Sequence, residues 1–586
     1  MTTPAELVYD GDCAFCAAWV RYWARLTGEQ VDYVPLQSAA AAHPDIDRAD
    51  FLAAIHLFEA DGRHTRGAAA ALRVLALSGR PLGWWLYIRS RAWAAVSEAA
   101  YRAVARRRGA AYGAMRMLWG EERHPASYTV AARVFVRLLA LIYLAAFLSL
   151  GSQVEGLLGA RGILPVVDFL AAADDALGAA ARWRFPSVFW LDASDAALLV
   201  ACLGGALVAA VVACGRLVVP GLAACYLLYL SLFSVGQDFL GFQWDLLLLE
   251  AGFLALLLPL RSPWIPRLFR LLLFRFMFLA GCVKLLSGDP TWQHLAALDF
   301  HFETQPLPTP LAWYAHHLPP WVGHACVVAT FVVELVLPWL IFAARRPRML
   351  AAGGIALLET VIALTGNYNF FNLLTLALVV FLFDDAQFGR AAAVLPRRRQ
   401  PARAAIATGV IVLLALNVFQ LARPFGADMV SGALEPLASA LAPLRTVNPY
   451  GVFAVMTTTR PEIVVEASQD GRRWLPYAFR YKPGAVDRAP RWNLPHQPRL
   501  DWQMWFAALG TADRNPWFGN FLARLLEAEP AVLALLRDAP FGDARPRFVR
   551  AMLYDYSYTD PARRARDGAV WRRELLGSYY PPVRLP

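Results

Sequence analysis

The feature that most constrains this chain is a series of long apolar runs whose connecting segments alternate between arginine-rich and arginine-free. The runs cover roughly 131–150, 193–215, 217–236, 239–260, 266–287, 320–343, 348–365, 370–385 and 404–422. About 20 apolar residues span a bilayer's hydrocarbon core as a helix, so a polytopic helical bundle with about nine transmembrane helices is predicted. Composition agrees. Of 586 residues, 58% are hydrophobic and 17% charged, where soluble domains carry about 25% charged residues. A soluble enzyme and a disordered or fibrous chain are both excluded.

The connections orient the bundle. Arg106, Arg107, Arg108, Arg116 and Arg123 precede the first run, and Arg216 follows the second. Arg261, Arg267 and Arg270 lie between the fourth and fifth runs, and Arg345, Arg346 and Arg348 between the sixth and seventh. Arg390, Arg397, Arg398, Arg399 and Arg403 separate the eighth from the ninth. Segments 237–238, 288–319 and 366–369 contain no Lys or Arg, and 151–192 has only Arg161, Arg182 and Arg184 among several acids. Basic residues stay on the cytoplasmic side, which predicts a cytoplasmic N-terminus and an external C-terminus. The same distribution accounts for the net charge of +11, and no nucleic-acid partner is expected.

Three domains follow. Residues 1–125 read as a small α/β domain, with strands at 7–9, 31–36 and 54–59 and helices at 13–26 and 67–77. Its arginine-rich amphipathic tail, 89–123, is expected to lie on a membrane surface. Met1–Glu6 leads directly into a strand, so no cleavable signal peptide is expected. Residues 126–423 form the transmembrane region. Residues 424–586 read as α+β, with strands at 452–456, 463–467, 474–481 and 547–558 and helices at 502–509, 518–528 and 531–536; Gln469-Asp470-Gly471 supplies a hairpin turn.

Chemistry-bearing residues fall in three places. Asp12-Cys13-Ala14-Phe15-Cys16 puts a C-x-x-C at a helix start, where free amides and the helix dipole stabilise a thiolate. Cys13 would attack and Cys16, one turn on, would resolve the mixed disulfide. A purely structural pair remains open. A zinc site would need a second ligand pair, drawn from His43, His56, His64 or His124, and a phosphatase reading of Asp10-Gly11-Asp12 lacks the lysine that chemistry uses. Within or beside the apolar runs lie Asp245, Glu250, Arg275, Lys284, Glu334 and Glu359, which must face one another or a wet cavity; Lys284 with Glu250 is the expected pair. The third place is connection 288–319 and its edge, where His294, His301, His316, His317 and His324 gather with Asp299 and Glu303. Their spacing does not match helical i, i+4 metal ligands, so no metal and no cofactor is expected. No Gly-x-Ser-x-Gly elbow and no phosphate-binding glycine loop occurs.

Residues 5–115, through the Asp-Cys-x-x-Cys, the Gly62 turn and the Gly67-Ala68 helix start, resemble the DCC family of thiol-disulfide oxidoreductases, a thioredoxin-like fold. They depart from thioredoxins in lacking a proline just before the 54–59 strand. The rest, about 131–580, resembles the lipase maturation factors. The resemblance rests on Gly162-Ile163-Leu164-Pro165, Gln243-Trp244-Asp245, Leu248-Leu249-Glu250, the 302–308 segment, Gly366 to Asn372, Asn448-Pro449-Tyr450-Gly451 and Pro495 to Phe506. It implies a membrane-embedded folding factor, not itself a lipase, whose partner is an exported client such as a lipase. A cytoplasmic thiol reductant would serve Cys13 and Cys16. The bias of arginine over lysine suggests a bacterial cytoplasmic membrane, with the endoplasmic reticulum as the alternative. Among the outer-domain aromatics, Trp502 and Trp505 are the candidate client-binding residues, unless they serve as core. A rival reading is a membrane enzyme acting on a lipid or quinone-like substrate through Lys284, Glu250 and the histidine-rich connection.

Overall fold

The computed structural model describes residues 3–39, 42–120, 123–389 and 403–585. Arg390, Arg397, Arg398 and Arg399, which contribute to the last arginine-rich connection, lie outside the described residues. The chain forms two compact units, one comprising Met1–Ala131, Phe342–Leu350 and Phe383–Pro401, the other the remainder.

In the first unit a four-stranded sheet has the order β2-β1-β3-β4, with β1 Ala5–Tyr9, β2 Val31–Pro35, β3 His56–Phe58 and β4 His64–Arg66. β1 and β2 run parallel, and the other pairings are antiparallel. The period-2 geometry of β1 sends neighbouring residues to opposite faces. Leu7 packs with Val20, Trp23 and Val74, whereas Val8 packs with Leu36 and Phe51. Both faces are thus covered, one of them by α1 Ala14–Thr27 and α2 Gly67–Leu77. The predicted strand at 54–59 shrinks to three residues and gains the partner β4, a strand too short to show periodicity. The arginine-rich tail is three helices: α3 Leu82–Arg89, α4 Arg91–Arg106 and α5 Arg108–Trp119. Asp385 caps the first membrane helix from a distance, accepting from Thr129 N and Val130 N at 2.8 Å, which satisfies two of the amides a helix start leaves free.

The chain is a multi-pass membrane protein. Among the described residues seven helices are long and apolar enough to cross a bilayer: Thr129–Gly151, Asp195–Ala213, Val218–Val235, Gln243–Leu260, Pro320–Leu340, Arg345–Thr365 and Ala404–Phe425. Two of the nine expected crossings differ. Ile265–Leu286 is a 22-residue helix but carries Arg267, Arg270, Arg275 and Lys284, and Phe371–Leu382 is short. Within Pro320–Leu340, residues Val332–Val336 adopt a π-turn. Pro338 has no N–H to return to the carbonyl of Glu334, which accounts for the irregular turn at that acid.

The C-terminal region of the second unit holds an antiparallel sheet ordered β6-β5-β7-β8, with β5 Arg460–Ser468, β6 Leu475–Pro476, β7 Phe548–Tyr558 and β8 Trp571–Val583. Helices Arg499–Ala508 and Pro516–Leu526 accompany it. Residues 452–456 are not a strand, contrary to expectation. Asp289 accepts from Met456 N at 2.6 Å, Trp292 Nε1 donates to Phe453 O at 3.0 Å, and Phe453 takes φ +54°, so these backbone groups serve the outer connection instead of a ladder. The expected strand at 474–481 reduces to two residues because Asp501 takes the amides of Tyr481 and Lys482. β8 is not expected from its residues: Gly577, Pro581 and Pro582 suppress a strand reading, and they are tolerated because β8 is an edge strand with bulges.

Candidate functional site

In the first unit, Cys13 is the N-cap of α1, and its Sγ accepts from Cys16 N at 3.3 Å. The two sulfurs are 2.7 Å apart as free thiols, close enough to join with little side-chain rotation. Asp12 is exposed, its carboxylate accepting from Gln37 Nε2 at 2.9 Å. It anchors the loop to the segment after β2. Asp10 accepts from Asp12 N and faces Arg108 of α5 at 3.4 Å. Burial, then the hydrogen bond and charge of Cys13, push the Cys16 thiol up to about 12. Cys16 therefore stays protonated across the physiological range, while Cys13 occupies the helix start. Alkylation checks this directly. In the reduced full chain at pH 7, iodoacetamide is expected to modify Cys16 more than 100-fold more slowly than a thiol of ordinary pKa, about 8.5. Its rate should keep rising about tenfold per pH unit well past pH 9.5, and a plateau by pH 9.5 would contradict the assignment.

In the second unit, Asp245, Glu250 and Glu334 are paired with bases, but not as the sequence suggested, and Glu359 accepts from Asn372 Nδ2 at 2.7 Å. Lys284 does not meet Glu250: its ammonium donates to both carboxylate oxygens of Glu334, at 2.8 and 2.7 Å. Glu250 instead binds Arg275, whose guanidinium also donates to Asn417. Its second oxygen accepts from Asn448 N at 2.9 Å, Asn448 Nδ2 at 3.2 Å and Tyr450 OH at 2.9 Å. Asp245 takes a bidentate pair from Arg499, at 2.8 and 3.1 Å, plus the hydroxyl of Tyr229 at 2.5 Å. Arg499 also donates to Phe239 O at 2.6 Å. The separate pairing reflects helix geometry, because Asp245 and Glu250, five residues apart on one helix, do not share a face.

Two of these acids therefore reach the C-terminal region of the chain, and the outer connection does the same. Glu303 accepts from Tyr558 N at 2.9 Å and lies 3.7 Å from His316 Nε2. His301 is within 3.4 Å of the Tyr368 hydroxyl, and burial pushes its ring down to about 4. The backbone carbonyls of Glu303, Gln305 and Pro306 all accept from Arg460. Arg460 and Lys482 share Glu462 at 2.7 and 2.8 Å. Asn367 binds Arg491 O and Asn493 N, and His496 meets Ser149 at 2.9 Å. Among the described residues no group of three or more His, Cys, Asp or Glu could hold a metal ion. The chemistry of this seam is mutual neutralisation.

Trp502 and Trp505 belong to the same seam and are 3% and 8% exposed. Trp502 packs on Trp244 with ring centres 4.8 Å apart, and Trp505 Nε1 donates to Thr304 O at 2.9 Å. They pack the helix against its neighbours, and Phe506 beside them is 40% exposed. Sequence reasoning missed Arg499, Arg460, Glu462 and Asn448 as partners. The available signal was that a buried membrane acid calls for a cation or hydrogen-bond donors, and Lys284 and Arg275 were too few to serve all four acids.

Three family models match: the lipase maturation factor transmembrane domain over residues 130–390, the lipase maturation factor C-terminal domain over 446–581, and the DCC1-like thiol-disulfide oxidoreductase over 7–114. Lipase maturation factor 2 of Mus musculus is 35% identical over 597 aligned residues, covering 78% of this chain and 84% of that protein. The Gallus gallus protein of that name is 36% identical over 585, covering 77% and 81%. Lipase maturation factor 1 of Bos taurus is 34% identical over 498, covering 77% and 88%. No solved structure matches.

Proposed function

Because this chain belongs to the lipase maturation factor family, we propose that it is a membrane-embedded maturation factor for an exported enzyme, a lipase among the candidate clients. The observation that carries this reading is the polar seam. Buried pairs such as Arg499–Asp245 and the Glu250 cluster join the C-terminal domain to the membrane helices within the second unit. A rigid platform at a membrane surface suits a protein that receives a chain as it emerges. The arginine pattern supports nine crossings, with Ile265–Leu286 and Phe371–Leu382 completing the seven, a cytoplasmic N-terminus and an external C-terminus. The setting is a bacterial cytoplasmic membrane.

The N-terminal domain supplies thiol chemistry to a cytoplasmic partner. The Cys13 thiolate attacks one sulfur of a partner disulfide, releasing the other as a thiolate. Cys16, after losing its proton, displaces the remaining partner sulfur, leaving a Cys13–Cys16 disulfide and a reduced dithiol. A cytoplasmic thiol reductant restores the pair.

Deleting the gene and assaying the exported fraction tests the reading. One or a few exported enzymes, lipases first, should lose activity and regain it with the intact gene; an unchanged exported fraction would overturn the proposal. Complementation with Cys13→Ser/Cys16→Ser tests the redox role separately, since full rescue would remove it.

A further inference from the structure

Helices α3 and α4 expose a face that packing inside the first unit does not use. Leu82, Ile88 and Val96 are 67%, 60% and 62% exposed, and Trp85 and Trp93 are also exposed. An apolar groove of about 480 Å³ adjoins them, walled by Leu72, Leu75, Leu82 and Trp85. On α4, Trp93, Val96 and Val104 fall within one arc of about 80° at 100° per residue, and Arg106, Arg102 and Arg91 follow beyond Val96 around the exposed side of the helix.

The charge is one-sided. Between residues 82 and 119 the chain has seven arginines and a single acid, Glu98. Glu98 is turned inward, accepting from Ala69 N at 3.2 Å and Tyr87 OH at 3.0 Å, so it neutralises nothing on the exposed face. Arg91, Arg102 and Arg106 are exposed and make no ion pair among the described residues. A surface of Trp, Leu, Ile and Val bordered on one side by unpaired arginines is complementary to the boundary of an anionic leaflet, where the rings and aliphatic chains enter and the guanidiniums reach headgroup oxygens.

Chain length adds a second argument. α5 ends at Trp119 and the first membrane helix begins at Thr129. At 3.3–3.6 Å per residue, that link spans at most about 35 Å. The face is held at a high local concentration of lipid, so that even weak contacts are occupied.

We propose that the α3–α4 face is a docking surface for anionic lipid. It rests on this face alone and holds whether or not the chain matures a client. Each arginine at an anionic surface favours the docked state by about fivefold, and three together by about a hundredfold.

The test uses the full chain in nanodiscs of phosphatidylcholine alone or with phosphatidylglycerol added, read by hydrogen exchange over residues 82–106. Anionic lipid should slow exchange there at least tenfold, an effect that weakens in high salt. Arg91→Glu/Arg102→Glu/Arg106→Glu should abolish the slowing while β1 and β2 exchange as before. Should that variant fail to fold, the lipid comparison on the natural chain decides alone. Equal exchange in the two lipids would overturn the proposal, as would protection independent of lipid charge, which would point to a protein neighbour.

Discussion

Replacing Arg499 with methionine is expected to destabilise the second unit by about 3–5 kcal/mol, the cost of leaving a buried carboxylate without its cation. Asp245 is fully buried and its carboxylate is saturated by Arg499 and Tyr229. Removing the guanidinium leaves only the phenol, and also frees Phe239 O. The helix Arg499–Ala508 would then keep only the Arg499 N–H bond to Gln153 at its first residue and lose the charged contact to the membrane helices. Adding Asp245→Asn to Arg499→Met removes the stranded charge and should restore most of the loss, since a buried pair adds little over a neutral replacement. Thermal unfolding in detergent, with limited proteolysis between residues 484 and 500, measures both. Equal stability of the single and double variants would show that the pair is not the seam's anchor.

Glu250→Leu should be comparably damaging for a different reason. That carboxylate neutralises Arg275 and also takes three hydrogen bonds from Asn448 and Tyr450. Its loss strands a fully buried guanidinium and releases the Asn448-Pro449-Tyr450-Gly451 segment, again about 3–5 kcal/mol. Glu250→Leu/Arg275→Met is the matching double variant, and here recovery should be incomplete, because the amide of Asn448 still lacks an acceptor and an unmet buried donor costs about 1–3 kcal/mol. Hydrogen exchange at Asn448 separates the two losses: fast in both variants if Glu250 is its acceptor, and protected in the double variant if it is not. In the gene-deletion background, both single variants should fail to restore client activity whenever the protein accumulates in unfolded form.

The thiol pair shows how far a local motif is legible. Strand, turn and helix around Cys13-Ala14-Phe15-Cys16 follow from nearest neighbours, and the N-cap role of Cys13 follows with them. The raised Cys16 thiol does not. It depends on burial against the rest of the domain, which no local spacing encodes. Trp502 and Trp505 show the opposite risk. Their type suited a binding surface, yet whether a tryptophan packs inward or outward depends on what the helix leans on, here Trp244 and Thr304.

The sequence by itself determined the membrane class, the arginine alternation, the C-x-x-C at a helix start and the family. These are properties of composition, of periodicity along one element or of long matching segments, and they survive without contacts. Only the tertiary structure decided who pairs with whom. Asp245 found Arg499, Glu250 found Arg275 and Asn448, and Lys284 found Glu334, with partners up to 254 positions away along the chain. The physical reason is that a charge in a low-dielectric interior demands neutralisation without specifying its source. The sequence states the demand, and only packing brings one particular counter-charge within hydrogen-bonding distance.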